Sequence, residues 1–164
     1  MVRTQMKKFE YENSVGYVVY SASKAFQKAF DLELRDKIGI TLTQSKVIFA
    51  LYMFSGLTQR ELADKIGVET PSLVPIIDKM EEDGYLKRKP DSKDRRIKRI
   101  FTTPKTDALW DSMLACGSQI RKVSLKEVSE KEVKSALETV KKITGNLSVY
   151  IGDSELAKSK KKKN

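Results

Sequence analysis

A run of lysine and arginine between Tyr85 and Thr103 provides the side chains best placed by sequence to bind a ligand. Eight cationic residues stand there against two acidic ones, Asp91 and Asp94. Pro90-Asp91-Ser92 is typical of a turn, and the residues on either side favour β-strands, so the run is predicted to form a hairpin. A hairpin with this charge can bind the phosphates of a nucleic acid. The alternative interpretation is a solvated face with no ligand.

Two short helices joined by a sharp turn are predicted directly before this hairpin. Thr58 and Glu61 have the spacing of a capping box, in which each side chain accepts the other residue's backbone N–H. Gly67 ends the first helix, and Thr70 is predicted to cap the second, with Pro71 at its first position. Apolar residues of the second helix recur at the spacing of one helical face: Leu73, Ile76, Ile77 and Met80. The pair is a helix-turn-helix, and with the hairpin it predicts a winged helix that binds DNA.

Longer amphipathic helices are predicted on both sides of this unit. The first opens at Asn13 or Ser14 and ends at Gly39, and a shorter helix capped by Thr43 follows it. The apolar stripe of the first helix is wide for a lone helix and needs a partner surface.

Further helices are predicted after the hairpin. Thr103-Pro104 starts one of them, and Ser129 with Glu132 forms a second capping box for the last. Gly145 and Gly152 are each predicted to be a point where that last helix could end. The lysines that follow, Lys158 and Lys160 to Lys163, are predicted to form a solvated tail.

These elements predict a mainly α fold: a winged helix-turn-helix with a small β-hairpin wing, and N- and C-terminal helices that form a dimerisation region. The predicted divisions are an N-terminal dimerisation helix in 1–40, the DNA-binding core in 41–103, C-terminal dimerisation helices in 104–152 and a lysine-rich tail in 153–164. A two-fold homodimer would cover the outer apolar stripes. It would also present two recognition helices to successive major grooves.

The composition restricts the classes of function. The 164 residues carry a formal net charge of +10, which favours double-stranded DNA over a membrane surface as the partner. There is no histidine, and Cys116 is the single cysteine, so neither a metal site nor a disulfide is expected. Because no phosphate-binding loop or nucleophile motif is present either, we predict neither an enzyme nor a cofactor. The lack of a secretory signal and of a long apolar segment predicts a cytoplasmic protein.

Several stretches resemble the MarR family of winged-helix transcriptional regulators. The resemblance covers roughly Thr43 to Thr103, and its most specific part is Asp94-Arg95-Arg96 in the wing. The other stretches that carry it are Leu42-Thr43, Leu57-Thr58-Gln59-Arg60-Glu61-Leu62-Ala63, Ser72 to Leu86 and Thr102-Thr103-Pro104-Lys105. The resemblance implies a homodimer that binds palindromic operator DNA, usually as a repressor. It also implies that small anionic or phenolic effectors, or oxidants, can relieve that binding.

The resemblance further implies roles for individual residues of the wing. It places Arg96 in the minor groove, positioned by Asp94, and it places Asp78 where it can pair with the same wing. A guanidinium suits a narrow, electronegative groove. The alternative is that Asp94 and Arg96 form an ion pair that only stabilises the turn. The wing residues expected at DNA are Lys93, Asp94, Arg95, Arg96 and Lys98.

One departure from the family lies in the recognition helix. Pro75 stands where the family often has a polar or basic residue that contacts DNA, and proline also removes a helical hydrogen bond. Base readout then falls on Thr70, Ser72, Val74 and Lys79, and Val74 or Pro75 could touch a thymine methyl group. The residues predicted to read DNA are Thr70, Ser72, Val74, Pro75 and Lys79.

Aromatic residues outside this motif could line an effector pocket. Their alternative role is ordinary core packing, which is the commoner role of aromatics at helical spacing. The candidate lining is Tyr17, Tyr20, Phe49, Tyr52, Met53 and Trp110. Oxidant sensors of the family carry their reactive cysteine near the start of the first helix. Cys116 is far from there, so it is predicted to be an inert buried thiol.

The sequence leaves two alternatives to a regulator that prefers particular DNA sequences. Pro75, the net charge and the lysine tail would also suit an architectural or chromatin protein of low sequence specificity. The third hypothesis, a winged helix that binds another protein, is disfavoured by the Asp94-Arg95-Arg96 wing.

Overall fold

The computed structural model describes the backbone of residues 11–161 and the side chains of residues 11–152. Within these residues the chain forms a 3-10 turn (Tyr11–Asn13), α-helices and three short strands. The helices are α1 (Val15–Ile38), α2 (Leu42–Met53), α3 (Gln59–Ile66), α4 (Thr70–Glu82), α5 (Pro104–Ser124) and α6 (Glu130–Lys161). The strands are β1 (Leu57–Thr58), β2 (Leu86–Pro90) and β3 (Lys98–Thr102). The predicted mainly helical winged helix is therefore confirmed.

Local capping explains where the first and third helices begin. The Ser14 hydroxyl accepts the N–H of Tyr17 at 3.3 Å and so caps α1. At α3 the predicted capping box is confirmed: the Thr58 N–H donates to Glu61 Oε2 at 2.8 Å, and the Glu61 N–H donates to Thr58 Oγ1 at 3.3 Å. Gly67 ends α3 with a φ of 71°, a conformation that glycine adopts without steric cost.

The prediction that Thr43 caps α2 is wrong, because the cap is Thr41. The Thr41 hydroxyl accepts the N–H of Gln44 at 3.2 Å, and Gln44 Oε1 accepts the N–H of Thr41 at 2.8 Å. A capping box needs Glu or Gln three residues after the Thr. Thr41 has Gln44 at that spacing, whereas Thr43 has Lys46, and Thr43 consequently lies inside the helix.

The three strands form one antiparallel sheet in the order β1-β3-β2. Leu57 pairs with Ile100, and on the other side of β3 the hairpin runs from Leu86 opposite Thr102 to Pro90 opposite Lys98. The hairpin was predicted, but β1 was not, because two residues are too few to show the alternation of a strand. Since β1 leads directly into α3, the sheet ties the wing to the start of the helix-turn-helix.

The hydrophobic core extends beyond the segment predicted to be the DNA-binding core. α1 contributes Leu34 to it and α5 contributes Met113 and Cys116, all buried among residues of the winged helix. Its other buried members are Ile40, Val47, Ile48, Leu51, Leu62, Ala63, Leu73, Ile77, Met80, Leu86 and Ile100. The described residues from 11 to 121 accordingly form one compact unit.

A second compact unit begins at Lys122 and contains α6. The Ser129–Glu132 capping box is confirmed, with the Ser129 N–H donating to Glu132 Oε2 at 2.8 Å. α6 then continues through Gly145 and Gly152 to Lys161. The expectation that these glycines end the helix is wrong. Each glycine destabilises the helix by only about 1 kcal/mol relative to alanine, and the helix continues past both. Of the predicted lysine tail, residues 162–164 and the side chains from 153 onward lie outside the described residues.

Candidate nucleic-acid interface

The second helix of the helix-turn-helix, α4, begins one residue before the predicted start. Glu69 is its N-cap, and the Glu69 carbonyl accepts the N–H groups of Ser72 at 3.0 Å and Leu73 at 3.3 Å. Thr70 is therefore the first helical residue, so the prediction that it caps the helix is wrong. The Glu69 side chain makes no capping hydrogen bond. Pro71 at the second position is tolerated because the N–H groups of the first turn have no partner within the helix.

α4 buries one face and leaves the other in solvent. Leu73, Ile77 and Met80 enter the core, which fixes the rotation of the helix. The side chains left exposed are Pro71, Ser72, Val74, Pro75, Asp78 and Lys79, while Thr70 is half-buried. Every predicted recognition residue thus lies on or at the edge of the solvent face, and Pro75 stands within the helix without interrupting it.

Lys79 is held by acidic neighbours on its own helix. Its Nζ lies 3.0 Å from Asp83 Oδ1 and 3.2 Å from Glu82 Oε2. These hydrogen bonds, first with Asp83 and then with Glu82, raise the pKa of Lys79. The Lys79 side chain is 58% exposed, so the residue stays charged, and a base would compete with Glu82 and Asp83 for its ammonium group.

At the wing tip, both carboxylate oxygens of Asp94 accept hydrogen bonds from Arg96. Arg96 Nε donates to Oδ1 at 3.0 Å, Arg96 NH2 donates to Oδ2 at 2.9 Å, and the Arg96 backbone N–H donates to Oδ1 at 3.0 Å. The side-chain bonds and then the backbone bond lower the pKa of Asp94, and the pairing raises the pKa of Arg96. The predicted pair is confirmed. It leaves 90% of the Arg96 side chain exposed, so the guanidinium is oriented and still free to contact a ligand.

Asp91 organises the loop behind this tip, and the sequence reasoning gave it no role beyond the turn. Its Oδ1 accepts the N–H groups of Lys93 at 2.8 Å and Asp94 at 3.1 Å, and its Oδ2 accepts Arg99 Nε. The Arg99 bond and then the two backbone bonds lower the pKa of Asp91 to about 2. A carboxylate with three donors keeps its charge, and here it holds the loop in one shape.

Arg99 continues this chain of hydrogen bonds into the helical core. Its NH1 donates to the carbonyl oxygen of Gly56 at 2.8 Å and lies 3.7 Å from Glu61 Oε2. Gly56 is buried with a φ of 75°, and a Cβ there would lie 3.1 Å from the ring of Phe101. The chain therefore runs from Gly56 through Arg99, Asp91 and Asp94 to Arg96.

A second chain of hydrogen bonds locks the recognition helix to the wing. Arg88 of β2 donates from NH1 to Glu81 Oε2 at 2.5 Å and from NH2 to Asp78 Oδ1 at 2.6 Å, and its backbone N–H donates to Glu81 Oε1 at 2.7 Å. Partial burial opposes the charge of Arg88, but the bonds with Asp78 and Glu81 outweigh it and raise its pKa. Asp78 does pair with the wing, as implied, but through Arg88. The partner of Arg96 is Asp94 alone among the described carboxylates.

The remaining wing cations project into solvent. Lys87, Lys93, Arg95 and Lys98 are exposed, and no carboxylate in residues 11–152 forms an ion pair with any of them. Lys89 lies 5.7 Å from the centre of the Phe101 ring. The wing thus presents unpaired positive charge around the oriented Arg96.

Only part of the predicted effector lining comes together. The Trp110 ring centre lies 5.1 Å from that of Phe49 and 4.2 Å from that of Tyr52. Burial, together with a hydrogen bond from the Tyr52 hydroxyl to Asp107, raises the pKa of Tyr52 to about 12. Tyr17 and Tyr20 do not join this cluster.

The two α1 tyrosines have partners elsewhere. Tyr17 packs on Tyr11 at 4.8 Å between ring centres, and the Tyr20 ring lies 5.4 Å from Lys24 Nζ. They belong to the first turns of α1, well before Leu34 reaches the core. Within one copy of the chain they therefore lie apart from the α2 aromatics, and an effector lining that includes them stays a prediction.

An open pocket of about 410 Å³ lies against α2 and α3. Phe49 and Met53, both predicted, are on its wall, and two lysines missed by the sequence reasoning stand beside them. Lys65 Nζ lies 4.0 Å from the centre of the Phe54 ring, and Lys46 Nζ lies 3.3 Å from Gln27 Oε1. The full lining is Lys46, Phe49, Ala50, Met53, Phe54, Lys65 and Ile66.

Other kinds of site find little support in the described residues. Cys116 is buried, as predicted, and burial raises the pKa of its thiol, which disfavours the reactive thiolate. Within the part of the chain that the structure describes, no group of three His, Cys, Asp or Glu side chains could hold a metal ion. No helix there has the length and apolarity needed to cross a bilayer.

Comparison with known proteins points to one family. The model of the MarR family matches residues 40–98, which hold the helix-turn-helix and most of the wing. The solved structure of the transcriptional regulator PA3341 is 30% identical, with a TM-score of 0.71, and the match covers 82% of this chain and 98% of that one. Apo MarR from E. coli has a TM-score of 0.73 at 20% identity, covering 79% and 96% of the two chains.

A third similar structure comes from a study of ligand control. BpsR of Bordetella bronchiseptica, whose DNA binding is regulated by 6-hydroxynicotinic acid, has a TM-score of 0.71 at 18% identity. The match covers 83% of this chain and 96% of that one. At this identity the likeness concerns the fold.

Proposed function

This chain belongs to the MarR family of transcriptional regulators, and from that premise we propose that it is a homodimeric repressor that binds palindromic operators in double-stranded DNA. The observation that carries the proposal is the presentation of Arg96. Two hydrogen bonds to Asp94 hold the Arg96 guanidinium in one orientation, yet 90% of the Arg96 side chain is exposed. A cation held in this way loses little conformational entropy when it enters a minor groove.

The surrounding charge fits the same role. Lys87, Lys93, Arg95 and Lys98 can contact phosphates, which position a protein on the duplex without reading sequence. α4, tied to the wing by Arg88, would enter the adjacent major groove. Residues 41–103 are thus the proposed DNA-binding core.

Exposed apolar faces on the outer helices support the homodimer. α1 and α6 each carry large apolar side chains that are at least two-fifths exposed in one copy of the chain. Those on α1 are Val15, Val18, Val19, Tyr20, Phe26 and Leu32, and those on α6 are Leu137, Val140, Leu147, Val149, Tyr150 and Ile151. We propose that a second copy covers these faces, so that residues 1–40 and 104–152 form the dimerisation region.

Two measurements test the proposal. Sedimentation at micromolar concentration should give twice 18.7 kDa, and a monomer would contradict the two-site operator. Footprinting across the genome should give a few discrete palindromic sites. Diffuse coverage would instead favour an architectural protein of low specificity.

The pocket against α2 and α3 supports control by a small anionic effector. Its apolar wall and its two ammonium groups, Lys46 and Lys65, suit an aromatic ring that carries a carboxylate. A hydroxybenzoate is a suitable probe. It should weaken operator binding by the parent and have less effect on the Lys46→Gln, Lys65→Gln double variant, and an equal effect on both would place the effector elsewhere.

A further inference from the structure

The exposed face of α4 has few of the side chains that read bases through pairs of hydrogen bonds. In the major groove, guanine is read by Arg or Lys, adenine by Asn or Gln, and cytosine by Asp or Glu. α4 contains no arginine, asparagine or glutamine. Only its lysine and its acidic residues could make such contacts.

Those charged residues are already engaged in ion pairs. Lys79 pairs with Glu82 and Asp83, and Arg88 of the wing holds both Asp78 and Glu81. They also lie in the second half of α4, whereas a recognition helix contacts base edges mainly with its N-terminal residues. A base contact by any of them would compete with an existing pair.

The first half of α4 offers a different chemistry. Its polar side chains are the hydroxyls of Thr70 and Ser72, which can bond to any base and discriminate little. Beyond them Val74 and Pro75 present hydrocarbon to solvent, Val74 with 37% exposure. The apolar group on a base edge in the major groove is the thymine methyl.

We propose that α4 selects its half-site chiefly by packing Val74 and Pro75 against thymine methyl groups, and that the operators are therefore rich in A·T pairs. The inference rests on the proposed DNA-binding function. The wing favours the same sequences, because the minor groove is narrow and most electronegative in A-tracts, where an arginine such as Arg96 binds best.

Replacement of thymine by deoxyuridine tests the inference, since it removes the methyl and leaves every hydrogen-bonding group in place. An operator is first selected from random duplexes with the full chain, and dU is then introduced at one thymine of a half-site at a time. At the contacted positions affinity should fall about fourfold per methyl, the equivalent of about 0.8 kcal/mol. Substitution at flanking thymines is the matched control and should change affinity less than twofold.

Two further comparisons separate the methyl from the rest of the base pair. Replacing a contacted T·A pair by 5-methylcytosine·G should bind more tightly than replacing it by C·G. On the protein side, Val74→Ala should lose most of the difference between the dT and dU duplexes, whereas Val74→Thr, which keeps one methyl of similar shape, should retain part of it.

Three outcomes would decide against the inference. Equal binding of dT and dU duplexes at every position, with scrambled DNA bound more weakly, would overturn methyl recognition and leave the regulator intact. A selected half-site dominated by G·C pairs would do the same. Failure to prefer any duplex would overturn both the inference and the operator-binding function on which it rests.

Discussion

The guanidinium of Arg88 joins the recognition helix to the wing, and its removal should cost measurable stability. It donates to Glu81 at 2.5 Å and to Asp78 at 2.6 Å. The Arg88 side chain is 23% exposed, against 35% for Glu81 and 57% for Asp78. The Arg88–Glu81 pair is less exposed to solvent than the Arg88–Asp78 pair, so it should contribute most of the stabilising free energy.

Hydrogen bonds to charged groups contribute about 1.5–3 kcal/mol, and exposed ion pairs about 0–1 kcal/mol. Partial exposure puts the Glu81 pair at the low end of the first range, about 1.5 kcal/mol, and the Asp78 pair at about 0.5 kcal/mol. Arg88→Ala should therefore lower the free energy of unfolding by about 2 kcal/mol, a large part of the 5–15 kcal/mol typical of a domain. Arg88→Lys keeps the charge but not the two-pronged geometry, so it should recover about half of the loss.

Urea denaturation at one fixed protein concentration measures this effect, because the midpoint of a dimer depends on concentration. Arg96→Ala is the matched control, since it removes an arginine of the same hairpin whose side chain is 90% exposed, and it should leave the midpoint unchanged. If Arg88→Ala and Arg96→Ala shift the midpoint equally, or neither does, Arg88 does not lock α4 to the wing.

Three more predictions concern the wing and the tail. Arg96→Ala should lower operator affinity roughly 5- to 100-fold, most at A·T-rich flanks, as measured by fluorescence anisotropy; parental affinity on all duplexes would remove the wing from the interface. By NMR titration the Asp91 carboxyl, with its pKa of about 2, should stay ionised at pH 3, and Arg99→Ala should return it toward the ordinary value of about 3.9. Because this pKa is lowered on folding, the stabilisation is present above about pH 4 and is lost as the pH falls toward 2, and an unperturbed titration would contradict the network. Removal of Lys158 to Asn164 should reduce the salt dependence of DNA binding by about 0.9 in log–log slope per lost phosphate contact, and an unchanged slope would show that these lysines do not touch DNA.

Features that depend on residues close in sequence were predicted well. The Thr58–Glu61 and Ser129–Glu132 capping boxes and the Asp94–Arg96 pair each join residues two or three apart, where backbone geometry alone brings the groups together. The error at Thr43 also follows from this rule. Gln44 stands three residues after Thr41, as the capping box requires, so Thr41 and not Thr43 is the cap. The error at Thr70 arose because Pro71 was assigned to the first helical position when it occupies the second.

Features that depend on register or on packing between elements were missed. Arg99 reaches Asp91 because the hairpin places Lys89 opposite Arg99 and so brings both ends of the loop together. Arg88 meets Asp78 across two different elements. Neither register nor helix rotation can be read from spacing alone, and so the residues that hold the interface in place were harder to predict than those that form it.

The aromatic pocket shows the same limit on a larger scale. Helical periodicity correctly put Tyr17, Tyr20 and Leu34 on one long helix, but it gives no position along the axis at which that helix meets the core. At about 1.5 Å per residue, Tyr20 lies about 20 Å before Leu34. α2 and α5 provide the actual cluster, Phe49, Tyr52 and Trp110.

The position of the pocket suggests how binding of an effector there would change the proposed DNA-binding surface. Met53 and Phe54 on its wall stand at the end of α2, two or three residues before Gly56, whose carbonyl oxygen accepts Arg99. Gly56 has little room to move independently, because it is buried and packed against the Phe101 ring. A displacement at the end of α2 would pass to Arg99, then to Asp91 and Asp94, each of which has a hydrogen bond to the next. An effector in this pocket would therefore act on the orientation of Arg96 through this chain of hydrogen bonds, and on α4 through α3, which also lines the pocket and packs against α4.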